Sequence, residues 1–180
     1  ATERVSLGEL RQIEETQNYA LSEEEYLEII ADKTASLFAV SCETGPILNH
    51  RDAKERHLFA EFGEKIGTAF QVADDLLDFV GDPEVTGKKR GLDVLNGKVT
   101  LPLIYSLKQA GEASGREITK FLQDGASEGS FDKVHTFITE SGGVEYAYKR
   151  ASELSNQALE SLGSMESSPY YSSLTDMVNF

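Results

Sequence analysis

A chain of 180 residues, 39% hydrophobic and 27% charged, has the composition of one globular domain with a sizeable core. Its net charge of −14 argues against nucleic acid and against an anionic membrane surface, so an anionic ligand would need locally concentrated positive charge or metal ions. No run of about 18 apolar residues spans a membrane, ATERVSLGEL lacks the pattern of a signal peptide, and the lone Cys42 excludes an internal disulfide and fits a reducing, cytoplasmic setting.

In chain order the periodicity is helical almost throughout, with no convincing hairpin signal. A first helix covers roughly 3–18. Ser22 with Glu25 reads as a capping box opening a helix that runs to about Thr44, stopped by Gly45 and Pro46. A long helix spans about 52–80. Next comes GDPEVTGKKRGLDVLNGKV, a glycine-rich loop of about 18 residues, and a loop that long inside a compact domain is usually functional or disordered. Thr100, with Pro102 in the first turn, starts a helix to about Ala110. Shorter helices follow near 114–123 and 130–141. Gly142 and Gly143 then precede an amphipathic helix bearing Val144, Ala147, Ala151 and Leu154, and a last helix covers about 169–179. The pattern is that of one all-α domain.

Within the long helix, FQVADDLLDF places Asp74, Asp75 and Asp78 among apolar neighbours. At about 100° per residue, Asp74 and Asp78 lie nearly one above the other with Asp75 to the side. A solvated acidic face is the ordinary reading of such a triplet. Here these three are the only charges between Thr68 and Val80. The same face continues back through Gln71, Gly67, Gly63 and Ala60, small residues that suggest room for an apolar shaft with carboxylates at its mouth. Clustered carboxylates with a free face suit Mg²⁺ that keeps several waters and shares its coordination with a phosphate. None of His50, His57 and His135 has a ligand partner at helical spacing, so zinc is not expected.

The segment GKKRGLDVLNGK supplies the opposite charge: Lys88, Lys89, Arg90 and Lys98 against Asp93. Its glycines Gly87, Gly91 and Gly97 would let the backbone approach a ligand, although a flexible basic loop would look the same. A further lysine, Lys33, falls in the row Tyr26, Ile29, Leu37 and Val40, which is its helix's apolar flank. Lysine lies there when it snorkels or when it is paired, including with an anion. The adjacent Thr34 could add a hydroxyl.

Taken together, GELRQ (8–12), Tyr26 with KTASLF (33–38), Gly63 with GTAFQVADDLLD (67–78), GKKRGLD (87–93) and GKVTLP (97–102) resemble the trans-isoprenyl (polyprenyl) diphosphate synthases. The match in order and spacing covers roughly residues 8–107. That resemblance implies an all-α bundle of the isoprenoid synthase type and a Mg²⁺-dependent, head-to-tail condensation of an allylic prenyl diphosphate with isopentenyl diphosphate. It also implies that Asp74, Asp75 and Asp78 bind the metal, that Lys33, Thr34, Gln71, Lys88 and Lys98 contact the diphosphate, and that Lys33 and Lys88 assist catalysis.

Two of that family's elements are not in this sequence. A first aspartate-rich motif followed by arginines is missing, and so is the segment that takes isopentenyl diphosphate. The only adjacent aspartates are Asp74 and Asp75, and the chain begins at Ala1 rather than Met. The expectation is therefore an incomplete bundle, residues 1–180 being the C-terminal part of a synthase and inactive alone. Its open apolar face would favour homodimers or self-association. The competing expectation is a non-catalytic helical subunit or binding module of the same fold, and a class I terpene cyclase is a more distant one.

Overall fold

In the computed structural model the described residues are 1–81, 84, 90–124, 131–163 and 168–178. Among these residues ten α-helices are delimited and no strand occurs. They are α1 (Thr2–Glu14), α2 (Glu23–Ile30), α3 (Ser36–Leu48), α4 (Ala53–Val80), α5 (Leu92–Leu95), α6 (Leu101–Gln109), α7 (Glu112–Gln123), α8 (Phe131–Glu140), α9 (Gly143–Ser161) and α10 (Pro169–Val178). Between α2 and α3 the chain does not break. One wider π-helical turn, Ala31–Ala35, joins them.

Local chemistry accounts for most boundaries. Ser22 and Glu25 form a reciprocal capping box, the Ser22 hydroxyl accepting from the Glu25 amide while the Glu25 carboxylate accepts from the Ser22 amide. Asp52 caps α4 by accepting from the Glu55 amide at 2.9 Å. Thr100 stands at the start of α6 with Pro102 in its first turn, where a missing N–H costs little.

Two expected boundaries move. α1 ends at Glu14, not near 18, because Gln17 turns with positive φ and its amide donates to the Gly97 carbonyl at 2.8 Å. The second helix does not stop at Gly45–Pro46. It runs on to Leu48 with Pro46 buried inside it, so tertiary burial outweighs the local penalty of proline.

α4 is the axis of the fold. It packs most extensively against α3 and α9. One core cluster joins Tyr26, Ile29 and Ile30 to Val72, Leu76 and Phe79, continuing into Leu101, Leu103, Val134 and Ile138. A second joins Phe62, Ile66 and Ala69 to Ala158 and Leu162. His135 belongs to the first region, stacked on the Phe79 ring at 4.9 Å.

The small residues of α4 do not open a shaft, contrary to the sequence expectation. A methyl group added at Gly63 would lie 2.5 Å from the Phe38 carbonyl oxygen, and one at Gly67 would lie 2.7 Å from the Ala35 Cα. These glycines let α3 and the π-turn approach α4 closely. They are filled by backbone, not by a ligand cavity.

Candidate functional site

The sequence-predicted residues among those described, Lys33, Thr34, Gln71, Asp74, Asp75, Asp78 and Lys98, lie where α1, the π-turn, α4 and the segment after it meet. Their positions follow from the π-turn, a feature that often marks functional sites. An inserted residue shifts the helical phase, so the row proposed for Lys33 does not stay on one face. Tyr26 and Ile29 are 2% and 3% exposed, whereas Leu37 and Val40, beyond the turn, are 49% and 46% exposed. Lys33 therefore leaves the apolar flank and turns toward α1. Its ammonium donates to the Gln12 side-chain oxygen and pairs with Glu9 at 3.0 Å. Thr34, the next residue, faces α4 and donates its hydroxyl to Gln71 Oε1 at 2.7 Å. The motifs at 8–12, 33–38 and 67–78 thus meet in space.

The three aspartates divide. Asp74 is exposed, Asp78 is half-buried, and Asp75 is only 5% exposed. Burial thus distinguishes three carboxylates that the sequence places on one face. Among the described residues no set of three His, Cys, Asp or Glu side chains is arranged to hold one metal ion. Asp75 points into the core, accepting from the Tyr26 hydroxyl at 2.7 Å and from Gln71 Nε2 at 2.8 Å. Burial pushes its carboxyl up to about 6, against the lowering effect of those two hydrogen bonds. Burial beside that carboxylate also raises the Tyr26 phenol well above its ordinary range. On the outer side, Asp78 accepts from the Asp93 amide at 3.1 Å, and its own carbonyl accepts from the Gly91 amide.

Of the basic segment, Lys98 comes to this wall. Its ammonium donates to Asp93 Oδ1 at 2.5 Å. Burial opposes its charge most strongly, yet the hydrogen bond to Asp93 and the charges of Asp93, Asp75 and Asp78 together raise its pKa. Arg90 does something else: its Nε donates to the Gly81 carbonyl at 2.7 Å, where α4 ends. Lys88, Lys89 and Gly87 lie outside the described residues.

The glycines expected to approach a ligand are also reassigned. Both Gly91 and Gly97 have positive φ, and a side chain there would strike the Phe131 ring or the Gln17 side chain. Their freedom serves the turn and internal packing.

Two site features escaped sequence reasoning. The hydroxyl of Tyr26 finds its carboxylate 49 positions away, and nothing local in the sequence signals that distance. Asp93, counted only as a charge against the lysines, holds Lys98 by its side chain and Asp78 by its amide.

The donor set suits a hard divalent cation. Asp74 and Asp78, one helical turn apart on the outer side of α4, offer only carboxylate oxygens, leaving room for waters or phosphate oxygens. The fold is thus an all-α bundle in which one helix presents acidic side chains with the Lys98 ammonium beside them. The chain belongs to the polyprenyl synthetase family, whose pattern it matches over residues 1–138.

Its relatives include the octaprenyl diphosphate synthase of Haemophilus influenzae, 29% identical, with 98% of this chain aligned to 54% of that protein. An all-trans-nonaprenyl-diphosphate synthase of Rhodobacter capsulatus is 31% identical, with 96% of this chain aligned to 53% of that one. Among solved structures, a Caulobacter crescentus polyprenyl synthase, crystallised with calcium and isoprenyl diphosphate, superposes with a TM-score of 0.92 at 29% identity. There the alignment takes in 99% of this chain and 55% of the other. The chain spans about half the length of these relatives.

Proposed function

We propose that residues 1–180 form the C-terminal part of a polyprenyl diphosphate synthase, a Mg²⁺-dependent prenyltransferase joining an allylic diphosphate to isopentenyl diphosphate head to tail. The observation carrying this reading is the place of Lys98, held by Asp93 and within the field of Asp78 and Asp75, on the wall where Thr34 pairs with Gln71. Family membership supports it independently.

In this reading Asp74, Asp78 and, in the family pattern, Asp75 form the acidic motif, and Asp74 and Asp78 would hold the metal. Mg²⁺ supplies neutralisation of the departing diphosphate when bound. The chain's own groups do the rest. Lys98 and Lys33 are ammonium donors for diphosphate oxygens, which requires Lys33 to exchange Glu9 and Gln12 for the substrate. Lys88, in the segment outside the described residues, is assigned the same role on the family pattern. Gln71 orients the reacting end through the amide hydrogen not given to Asp75, and Thr34 through its hydroxyl once it exchanges Gln71 for the substrate. The exposed apolar side chains of α4, Phe70, Leu77 and Val80, keep water from the allylic cation and receive the prenyl chain, in place of the shaft that Gly63 and Gly67 do not provide. A cytoplasmic homodimer completes the proposal.

The test has two arms. The purified 180-residue chain, given Mg²⁺, an allylic diphosphate and labelled isopentenyl diphosphate, is expected to incorporate no label, since the half-length chain offers one acidic wall. In the complete enzyme, Asp74→Ala with Asp78→Ala is expected to lower turnover by about 100-fold or more. Activity within twofold of wild type in that variant sinks the metal assignment.

A further inference from the structure

Asp75 shares a motif with Asp74 and Asp78 but, unlike them, is buried. Both of its oxygens are occupied from inside the protein: Oδ2 by the Tyr26 hydroxyl at 2.7 Å and Oδ1 by Gln71 Nε2 at 2.8 Å. Tyr26 and Asp75 are 2% and 5% exposed, and no buried side-chain nitrogen or oxygen is left unpartnered among the described residues. A carboxylate held this way offers a metal ion little free valence. What it does hold is an amide. With Nε2 donating to Asp75 at 2.8 Å and only at 3.5 Å to Asp74 Oδ2, Gln71 must present Oε1 elsewhere, and it accepts there from the Thr34 hydroxyl at 2.7 Å.

The chain of donors then runs in one sense from each end toward the carboxylate. Tyr26 on α2 and Gln71 on α4 both donate to Asp75, and Thr34 in the π-turn donates to Gln71. An ionised carboxylate is the one side chain at this position that accepts twice and donates nothing. It fixes which way the Gln71 amide faces, and so where the Thr34 hydroxyl points. Charge-assisted hydrogen bonds of this kind are the stronger ones, and a buried network with every member satisfied is rigid.

We propose that Asp75 is not one of the metal-holding carboxylates but a positioning residue, anchored by Tyr26, that sets the Gln71 amide and the Thr34 hydroxyl at the wall of the site. This rests on the reading above that Asp74 and Asp78 face the metal. It separates the three aspartates of one motif into two jobs.

The experiment uses the complete enzyme and four isosteric single variants, Asp74→Asn, Asp78→Asn, Asp75→Asn and Tyr26→Phe, with circular dichroism confirming the fold of each. Mn²⁺ binding in the presence of inorganic pyrophosphate is read by electron paramagnetic resonance, and turnover is read separately. Asp74→Asn and Asp78→Asn are expected to weaken Mn²⁺ about 10-fold or more, whereas Asp75→Asn and Tyr26→Phe keep it within about threefold. The latter two are expected to lose turnover about 10- to 100-fold, the cost of misplacing groups that touch the substrate. The Tyr26→Phe/Asp75→Asn double variant should be no worse than Asp75→Asn alone.

Weakening of Mn²⁺ by Asp75→Asn equal to that of Asp74→Asn would overturn the proposal and make Asp75 a ligand. Unchanged turnover in Tyr26→Phe would overturn the anchoring role. If Asp74→Asn and Asp78→Asn leave Mn²⁺ binding intact, the metal site of the proposed function fails, and the contrast with Asp75 goes with it.

Discussion

At the scale of single residues, the chain shows how much a neighbour decides. Asp74 and Asp75 are adjacent in sequence and identical in chemistry, yet one is exposed and the other buried. For Asp75 the cost of burying charge exceeds what two hydrogen bonds return, so its pKa rises from 3.8 to about 6. The sign follows from linkage: a raised folded pKa means the fold favours the neutral acid. That stability is fully present below the unfolded value and is lost as pH rises through about 6. Asp75→Asn removes the titration. In urea unfolding with a chelator present, the variant should gain on wild type between pH 4 and pH 7 by about 2–3 kcal/mol. A difference that stays flat across that range contradicts the buried-carboxylate account.

At the scale of elements, close approach of backbones matters more than propensity. Gly63 and Gly67 cost α4 intrinsic stability, and what they return is contact with α3 and the π-turn. Gly67→Leu would place Cβ 2.7 Å from the Ala35 Cα and 2.9 Å from the Phe38 Cβ, neither at the end of a flexible chain. The helices must separate, at an expected cost of about 1–3 kcal/mol in chemical denaturation. Thr34 would shift with them, so turnover of the complete enzyme should fall as well. The π-turn belongs to this scale too. It splits the apolar row around Lys33 and sends Lys33 and Thr34 toward different helices.

At the scale of the whole molecule, α4 carries an unfinished surface. Phe70, Leu77 and Val80 are exposed on one stripe beside a groove of about 650 Å³ that Phe38, Tyr148 and Met177 also line. Leu7, Leu10 and Ile13 are exposed along α1. Exposed apolar area on this scale drives association, while the net charge of −14 resists it. The 180-residue chain is therefore expected to self-associate, more strongly in high salt, where that repulsion is screened. Multi-angle light scattering that shows a monomer at millimolar concentration in 0.5 M salt contradicts this.

The sequence by itself determined the helical class, nearly every helix, and the family, because helical period, caps and short motifs are local properties. Ser22 with Glu25 and Asp52 act on amides three residues away, which is why α2 and α4 begin where the letters indicate. The motif residues Lys33, Thr34, Gln71, Asp74, Asp75, Asp78 and Lys98 were legible as a set for the same reason. Only the tertiary structure decided what each of them faces. Gly63 and Gly67 read as open space until backbone filled it, Pro46 read as a stop until burial overrode it, and Asp75 read as the equal of its neighbours until Tyr26 met it from another helix. Burial and long-range pairing depend on contacts between distant segments, and no window of local sequence contains them.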